Sequence, residues 1–391
     1  MSTITTASAE WSKRPADERF TSLFAMRAKA DHMHHTSRAV VVSNRRFDLV
    51  PGHWGAASSL SSEPGAPVFH ASGSANGLAV VSDKGHAYRP SHWAFGQLAA
   101  LAGAPASYLR KLPSAMAADC LNYGLKHLRE PEDIGLLLQR NGDATVRAAT
   151  GPNYGRIWDA HILRALTDTY GDGVNGRFRV PGEFGRAVPV TTENTTLYAG
   201  DRDMFVFLCD ETNRIEMPNR RNGEAGALAR GFFVWNSEVG SRTFGIATFL
   251  FDYVCRNRIV WGAENHQSIT IRHTASAPDK WLEQLQPALR SYADASTEGV
   301  LDIVKAAQAA RIAKVESGDV TEAVASFLAK RFSRSQAAAI QEVHMLEEGR
   351  PIETLWDASV GITALAKGIT WQAERVELET KGGELLALAV R

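Results

Sequence analysis

Near residue 275 the chain changes its period, and that switch constrains the fold more than any other feature. Before it, short β-branched and aromatic runs alternate with Gly-, Asn- and Asp-containing turns; after it, apolar residues recur at helical spacing to the end. Asp319 with Glu322 forms a capping-box start, behind which Val320, Val324, Phe327 and Leu328 share a face. Ser333 with Gln336 repeats the box, Gly349 and Pro351 close that helix, and Thr354 with Asp357 opens a third that stops near Gly368. The pattern predicts an α+β protein: a mainly antiparallel sheet with flanking helices over 39–275, then an all-helical C-terminal region over 276–391. Residues 1–38 read as a polar N-terminal arm that carries His32, His34 and His35.

Within the body, 39–42, 67–70 and 78–82 read as strands, and 91–129 as helices. Pro105 suits a first helical position, and Ala117, Leu121, Leu125 and Leu128 recur at helical spacing. Residues 135–140 and 144–149 flank Asn141-Gly142-Asp143, a hairpin signal. A second pair, 195–199 and 204–209, is joined by a polar turn, and 231–235, 258–261 and 268–272 are further strands. The run 243–253 is apolar without a break, so a strand and a buried helix both remain open there.

With 44% hydrophobic residues the 391-residue chain can build a core, and 43 basic against 43 acidic residues exclude a polycation while permitting a local basic groove. The three cysteines, Cys120, Cys209 and Cys255, have no ligand-spaced partner, which suits thiols in a reducing compartment. No apolar run reaches ~18–20 residues and the N-terminus has no apolar signal core, so the expectation is a cytoplasmic protein with no membrane partner.

Few residues announce catalysis. The histidine run lacks further rigid ligands, and Cys255 with His266 or His273 reads better as a buried thiol near unrelated imidazoles. Asp201, Asp203 and Asp210 suit turn chemistry as well as a cation, and the glycines of 171–176 lack the lysine of a phosphate loop. No catalytic residue, metal or cofactor is expected. The remaining constellation is basic and aromatic: Arg220 and Arg221 in a loop, Trp235 at the end of an aromatic run, then Arg242, Arg256, Arg258 and Arg272. Guanidinium groups can grip phosphate and aromatic faces can stack on bases, so these seven form the candidate nucleic-acid-binding set. The helix pair 320–331 and 334–348 is spaced like a helix-turn-helix, but its second helix is alanine-rich where base-reading side chains belong.

Several segments carry a resemblance. Asn236-Ser237-Glu238-Val239-Gly240, Val254-Cys255-Arg256-Asn257 and His273-Thr274, with the segment from Tyr154 to Asp159 and Thr354-Leu355-Trp356-Asp357, resemble the phage/plasmid-like family called domain of unknown function 932. The resemblance spans roughly 130–380. It implies an origin among phages, plasmids and integrated elements, and supplies no catalytic residues. With the basic set it implies an accessory DNA-binding protein of a mobile genetic element, binding or annealing single-stranded DNA, with a homo-oligomer among its expected partners. The alternatives are a metal-dependent enzyme acting on nucleic acid and a module binding a host protein.

Overall fold

The computed structural model describes residues 15–52, 77–141, 143–181, 188–221, 224–252, 258–259, 269–294, 299–312, 320–369 and 372–389. In chain order, strand β1 (Arg19–Phe20) and helix α1 (Leu23–Thr36) precede β2 (Ser37–Ser43), β3 (Phe47–Pro51), β4 (Leu78–Ser82) and β5 (Ala87–Pro90). Helices α2 (His92–Leu101), α3 (Ala106–Leu109) and α4 (Ser114–His127) follow, then the hairpin β6 (Asp133–Asn141) and β7 (Asp143–Thr150), and α5 (Asp159–Tyr170). Next come β8 (Phe178–Arg179), β9 (Leu197–Ala199), β10 (Met204–Asp210), β11 (Ile215–Arg221), β12 (Glu224–Asn236), β13 (Phe244–Asp252), β14 (Arg258–Ile259) and β15 (Ile269–Ile271). The chain ends in α6 (Ala277–Asp294), α7 (Val300–Ala309), α8 (Val320–Ala329), α9 (Arg334–Glu348), α10 (Leu355–Lys367) and α11 (Gln372–Leu388).

The α+β class holds, with two sheets where one was expected. A six-stranded sheet runs β2-β6-β7-β5-β4-β3 and is antiparallel except where β5 meets β7. A nine-stranded sheet runs β1-β9-β10-β12-β13-β14, with β8 on β10, β11 on β12 and β15 on β13. The expected hairpins at 135–149 and 195–209 both form. Residues 244–252 are strand: every residue of β13 is buried, so both faces are covered and the apolar run needs no alternation.

One face of the nine-stranded sheet, through Val206, Leu208, Phe232, Val234 and Ile246, packs on α1, α5 and α6. The other carries Phe205, Phe207, Cys209, Phe233, Phe249 and Phe251. On the six-stranded sheet, α2 and α4 cover one face with Phe95, Leu98, Leu121 and Leu125.

Residues 23–36 are a helix where a polar arm was expected. Ser22 caps it by accepting from the Ala25 amide, and Leu23, Met26 and Ala30, spaced three and four apart, are buried. That stripe is short and diluted by Arg, Lys and His, which hides it from a periodicity reading. Residues 1–14, the strand expected at 67–70, Cys255, Arg256, His266 and the Asp319 cap lie outside the described residues.

In the C-terminal region, the described residues of 277–389 form helices joined by turns, with one bridge between Arg311 and Thr354. Both remaining boxes form: Ser333 with Gln336, and Thr354 with Asp357. Gly349 takes φ +68° at the end of α9, the left-handed turn a glycine makes at little cost. Ala337 and Ile340 of α9 are buried against α8 and α10, so the helix pair serves packing. The Thr354–Asp357 segment is a helix start: Asp357 accepts from the Glu353 and Thr354 amides and pairs with Arg350.

Candidate functional site

The five residues from Asn236 to Gly240 leave the end of β12 and run into the seam between the two sheets. Asn236 Nδ2 donates to the Ile157 carbonyl at 2.8 Å and to Asp159 Oδ1 at 2.7 Å. Ser237 Oγ donates to the Arg202 carbonyl at 2.6 Å and accepts from the Ser241 amide. Glu238 reaches both ways: Oε2 meets Arg147 Nη1 of β7 at 2.8 Å, and Oε1 accepts from the Asp159 amide at 3.0 Å, at the first turn of α5. The Val239 carbonyl accepts from Trp93 Nε1 at 2.9 Å and Gln97 Nε2 at 2.8 Å, both on α2. Gly240 turns the chain with φ +82°.

A second segment closes on the first. Tyr154 Oη donates to the Ser237 carbonyl at 2.9 Å, and the Tyr154 ring stacks on His273 at 4.8 Å. His273 Nδ1 bonds the Gly155 carbonyl at 3.0 Å, and the Gly155 amide donates to the His273 carbonyl. A Cβ at Gly155 would stand 1.8 Å from the Thr274 carbonyl oxygen, so only glycine permits this approach. The Arg156 guanidinium lies over the Tyr154 and Trp158 rings at 5.1 and 5.8 Å.

Burial shifts the titration of three of these groups. Burial, then the Glu238 charge, push the Asp159 carboxyl well above the usual carboxylate range. Burial also raises the Tyr154 phenol and lowers the His273 imidazole. The result is a polar hub in which burial opposes ionisation of a carboxyl and protonation of an imidazole, beside a buried Arg–Glu pair. Among the described residues, no group of three His, Cys, Asp or Glu is placed to hold a metal ion. His34 packs on Trp158 at 4.5 Å and His161 at 4.9 Å, as part of a helix–helix contact.

The seven basic and aromatic candidates fare differently. Arg242 Nε bonds Asp203 Oδ2 at 2.7 Å and is mostly buried, so its charge is engaged in the fold. Trp235 is half-buried, stacks on Phe233 at 5.3 Å and lies against Gly245, where a Cβ would fall 2.0 Å from the ring. Its ring fills the space that Gly245 leaves. Arg272 is exposed beside His273. Arg220 and Arg221 belong to β11 and Arg258 to β14, while their side chains, like Arg256, lie outside the described residues. Arg230, in the same run, is buried beside Asp210. Cys209 is buried among apolar and aromatic neighbours, as expected.

A solvent-facing edge of the same seam had no sequence signal. Arg202, in the turn between β9 and β10, stands over the Trp93 ring at 4.8 Å. Arg110 lies over Phe95 at 4.9 Å and donates to the His92 carbonyl at 2.9 Å. Burial and then the charges of Arg110 and Arg202 press the His92 imidazole below its usual value. The three residues come from separate segments, so no local pattern foretells their meeting.

Residues 186–376 match the model of the family described as domain of unknown function (DUF932). The match takes in Asn236–Gly240, His273 and the Thr354–Asp357 helix start, whereas Arg147, Tyr154 and Asp159, which complete the hub, precede it. No curated protein and no solved structure matches the chain. Among the described residues no helix is long and apolar enough to cross a membrane.

Proposed function

We propose that the protein is a DNA-binding accessory factor of a mobile genetic element that engages single-stranded DNA along the outer edge of the seam. The observation that carries this reading is the Arg202–Trp93 stack beside His92 and Arg110. An exposed guanidinium held over an indole can take part in stacking with a base, and the neighbouring cations suit phosphates. This places the contact away from Arg242 and Trp235, whose side chains hold the fold together. Arg272 stays in the proposed set as an exposed cation.

Labelled single-stranded DNA titrated at several salt concentrations tests the reading. Arg202→Ala and Arg110→Ala should each weaken binding about tenfold and flatten the log–log salt slope by roughly 0.7 per lost phosphate contact. The Arg202 carbonyl, which anchors Ser237 and Ser241, survives the first substitution. Parent protein that fails to bind DNA, or variants that bind like the parent, would remove the proposal.

A protein-binding module is the second reading, and one surface favours it. Met116 and Tyr123, seven apart on α4, are exposed on one helical face, and Tyr108 of α3 is exposed as well. A DNA-silent parent that retains a stoichiometric protein partner, lost on Met116→Glu/Tyr123→Glu, would support this second reading.

A further inference from the structure

The six-stranded sheet forms a cavity of about 210 Å³, lined among the described residues by strands and turns. Val40 and Val42 of β2, Leu136 of β6, Tyr88 of β5, Val80 of β4 and Phe47 of β3 form its walls. β2 and β3 are the two edges of this sheet, so a cavity lined by both requires the sheet to curl until its edges share one concave face. The register agrees: Val40 pairs with Leu136 and Val80 with Tyr88, which puts each pair on the same side. That side packs on α2 and α4 elsewhere, yet among the described residues no helix residue reaches this lining, and Val40 and Val42 stay half-exposed. Phe47, Val80, Tyr88 and Leu136 are buried, so among the described residues it is the half-exposed Val40, Val42 and Leu138 that an apolar guest would gain by covering.

The mouth has its own chemistry. The Asp83 amide donates to the Arg46 carbonyl at 3.1 Å, which sets the turn before β3 beside the turn after β4. Arg46 and Lys84 both line the mouth, both are exposed, and neither makes an ion pair among the described residues. Asp83 is the carboxylate of the lining, so the cations outnumber it. Outside the lining, the exposed Arg140 stands over the Tyr88 ring and donates to its hydroxyl at 3.0 Å, adding positive charge beside that wall.

We propose that this cavity binds a small amphiphile, an aliphatic chain that ends in a carboxylate, with the chain against Val40, Val42, Val80 and Leu136 and the head between Arg46 and Lys84. The volume lies below that of pockets that hold drug-sized ligands, which limits the guest to a short chain. The site is independent of the DNA reading, since it lies on the concave face and uses none of the residues at the seam edge.

Titration calorimetry of the full chain with octanoate, octanol and octylammonium tests the head group, and hexanoate tests the chain. Octanoate should bind at least tenfold tighter than octylammonium, with octanol between them. Each methylene the cavity covers should tighten binding about fourfold, so hexanoate should be weaker by tenfold or more. Arg46→Glu/Lys84→Glu, both on exposed turns, should invert the preference between the two charged heads while leaving octanol unchanged. Val42→Trp, at a half-exposed position, should fill the cavity and abolish octanoate binding, with unfolding temperature measured alongside to show that the chain still folds. Failure of octanoate to bind the parent, equal binding of both charged heads, or unaltered binding by folded Val42→Trp would each overturn the proposal.

Discussion

Arg147 and Glu238 meet at 2.8 Å with 6% and 3% of their side chains exposed, and they join β7 of one sheet to the segment that leaves β12 of the other. Such a pair gains little over well-packed apolar residues, yet breaking it leaves a charge stranded in the interior. Glu238→Ala should therefore destabilise by about 3–5 kcal/mol, read as a shift of the urea midpoint. The double variant Arg147→Met/Glu238→Leu should recover a large part of that loss. Additive single and double effects would show that the two residues do not act as a pair.

Asp159 gives the hub a pH signature. Burial and the Glu238 charge raise its folded pKa above the unfolded value, so its contribution is full below the unfolded pKa near 3.8 and is lost as pH rises through the folded value. Asp159→Asn keeps an oxygen for Asn236 and removes the ionisable group. The variant should gain stability over the parent at pH 8, and the gain should shrink toward pH 4. A pH-independent difference in thermal midpoint would refute this assignment.

His344 works in the opposite sense. Burial lowers its pKa from 6.5, against the pull of Asp357 and Glu348, while its Nδ1 bonds the Arg350 carbonyl at 3.0 Å. A depressed folded value means stability that is complete above about pH 6.5 and is lost as pH falls through the folded value. His344→Asn retains an amide donor for the carbonyl and cannot charge. Its stability should fall less between pH 7 and pH 5 than that of the parent, by chemical denaturation at each pH.

How much of this was legible depended on whether the signal was local. The Ser333 and Thr354 boxes and the hairpin across Asn141 and Asp143 are short-range patterns, and each forms where expected. The Asn236–Gly240 and Tyr154–Asp159 segments stand out in the sequence as motifs, yet spacing does not say that they meet or that Arg147 completes them. In the sequence Trp235 and Arg242 resemble a binding surface, because aromatic and cationic residues look alike whether they pack or bind. The Gly245 gap under the indole and the carboxylate of Asp203 beside the guanidinium are tertiary facts. Arg242→Ala should accordingly lower stability by about 3 kcal/mol, as expected for a partly buried pair broken on one side. A variant with parental stability and weakened DNA binding would instead restore Arg242 to the binding surface.

Two glycines in one short stretch separate close packing from conformational freedom. At Gly155 an added methyl would sit 1.8 Å from the Thr274 carbonyl oxygen and 2.9 Å from Pro278 Cδ. Neither neighbour can yield freely: the segment is held by the Gly155 amide on the His273 carbonyl and by His273 Nδ1 on the Gly155 carbonyl. Gly155→Ala must part the two segments, and overpacking with loss of these bonds should cost about 3 kcal/mol. Four residues earlier, a Cβ at Gly151 meets nothing within 4 Å, and its φ is not in the left-handed region. Gly151→Ala should leave stability unchanged or raise it by about 0.4–1 kcal/mol, because alanine restricts the unfolded chain. Near-ultraviolet circular dichroism provides a second readout, since Tyr154 stacks on His273 and should lose its fixed environment only in Gly155→Ala. Equal stability of the two variants would mean that the Tyr154–Asp159 segment does not dock on His273 and Thr274 as the geometry requires.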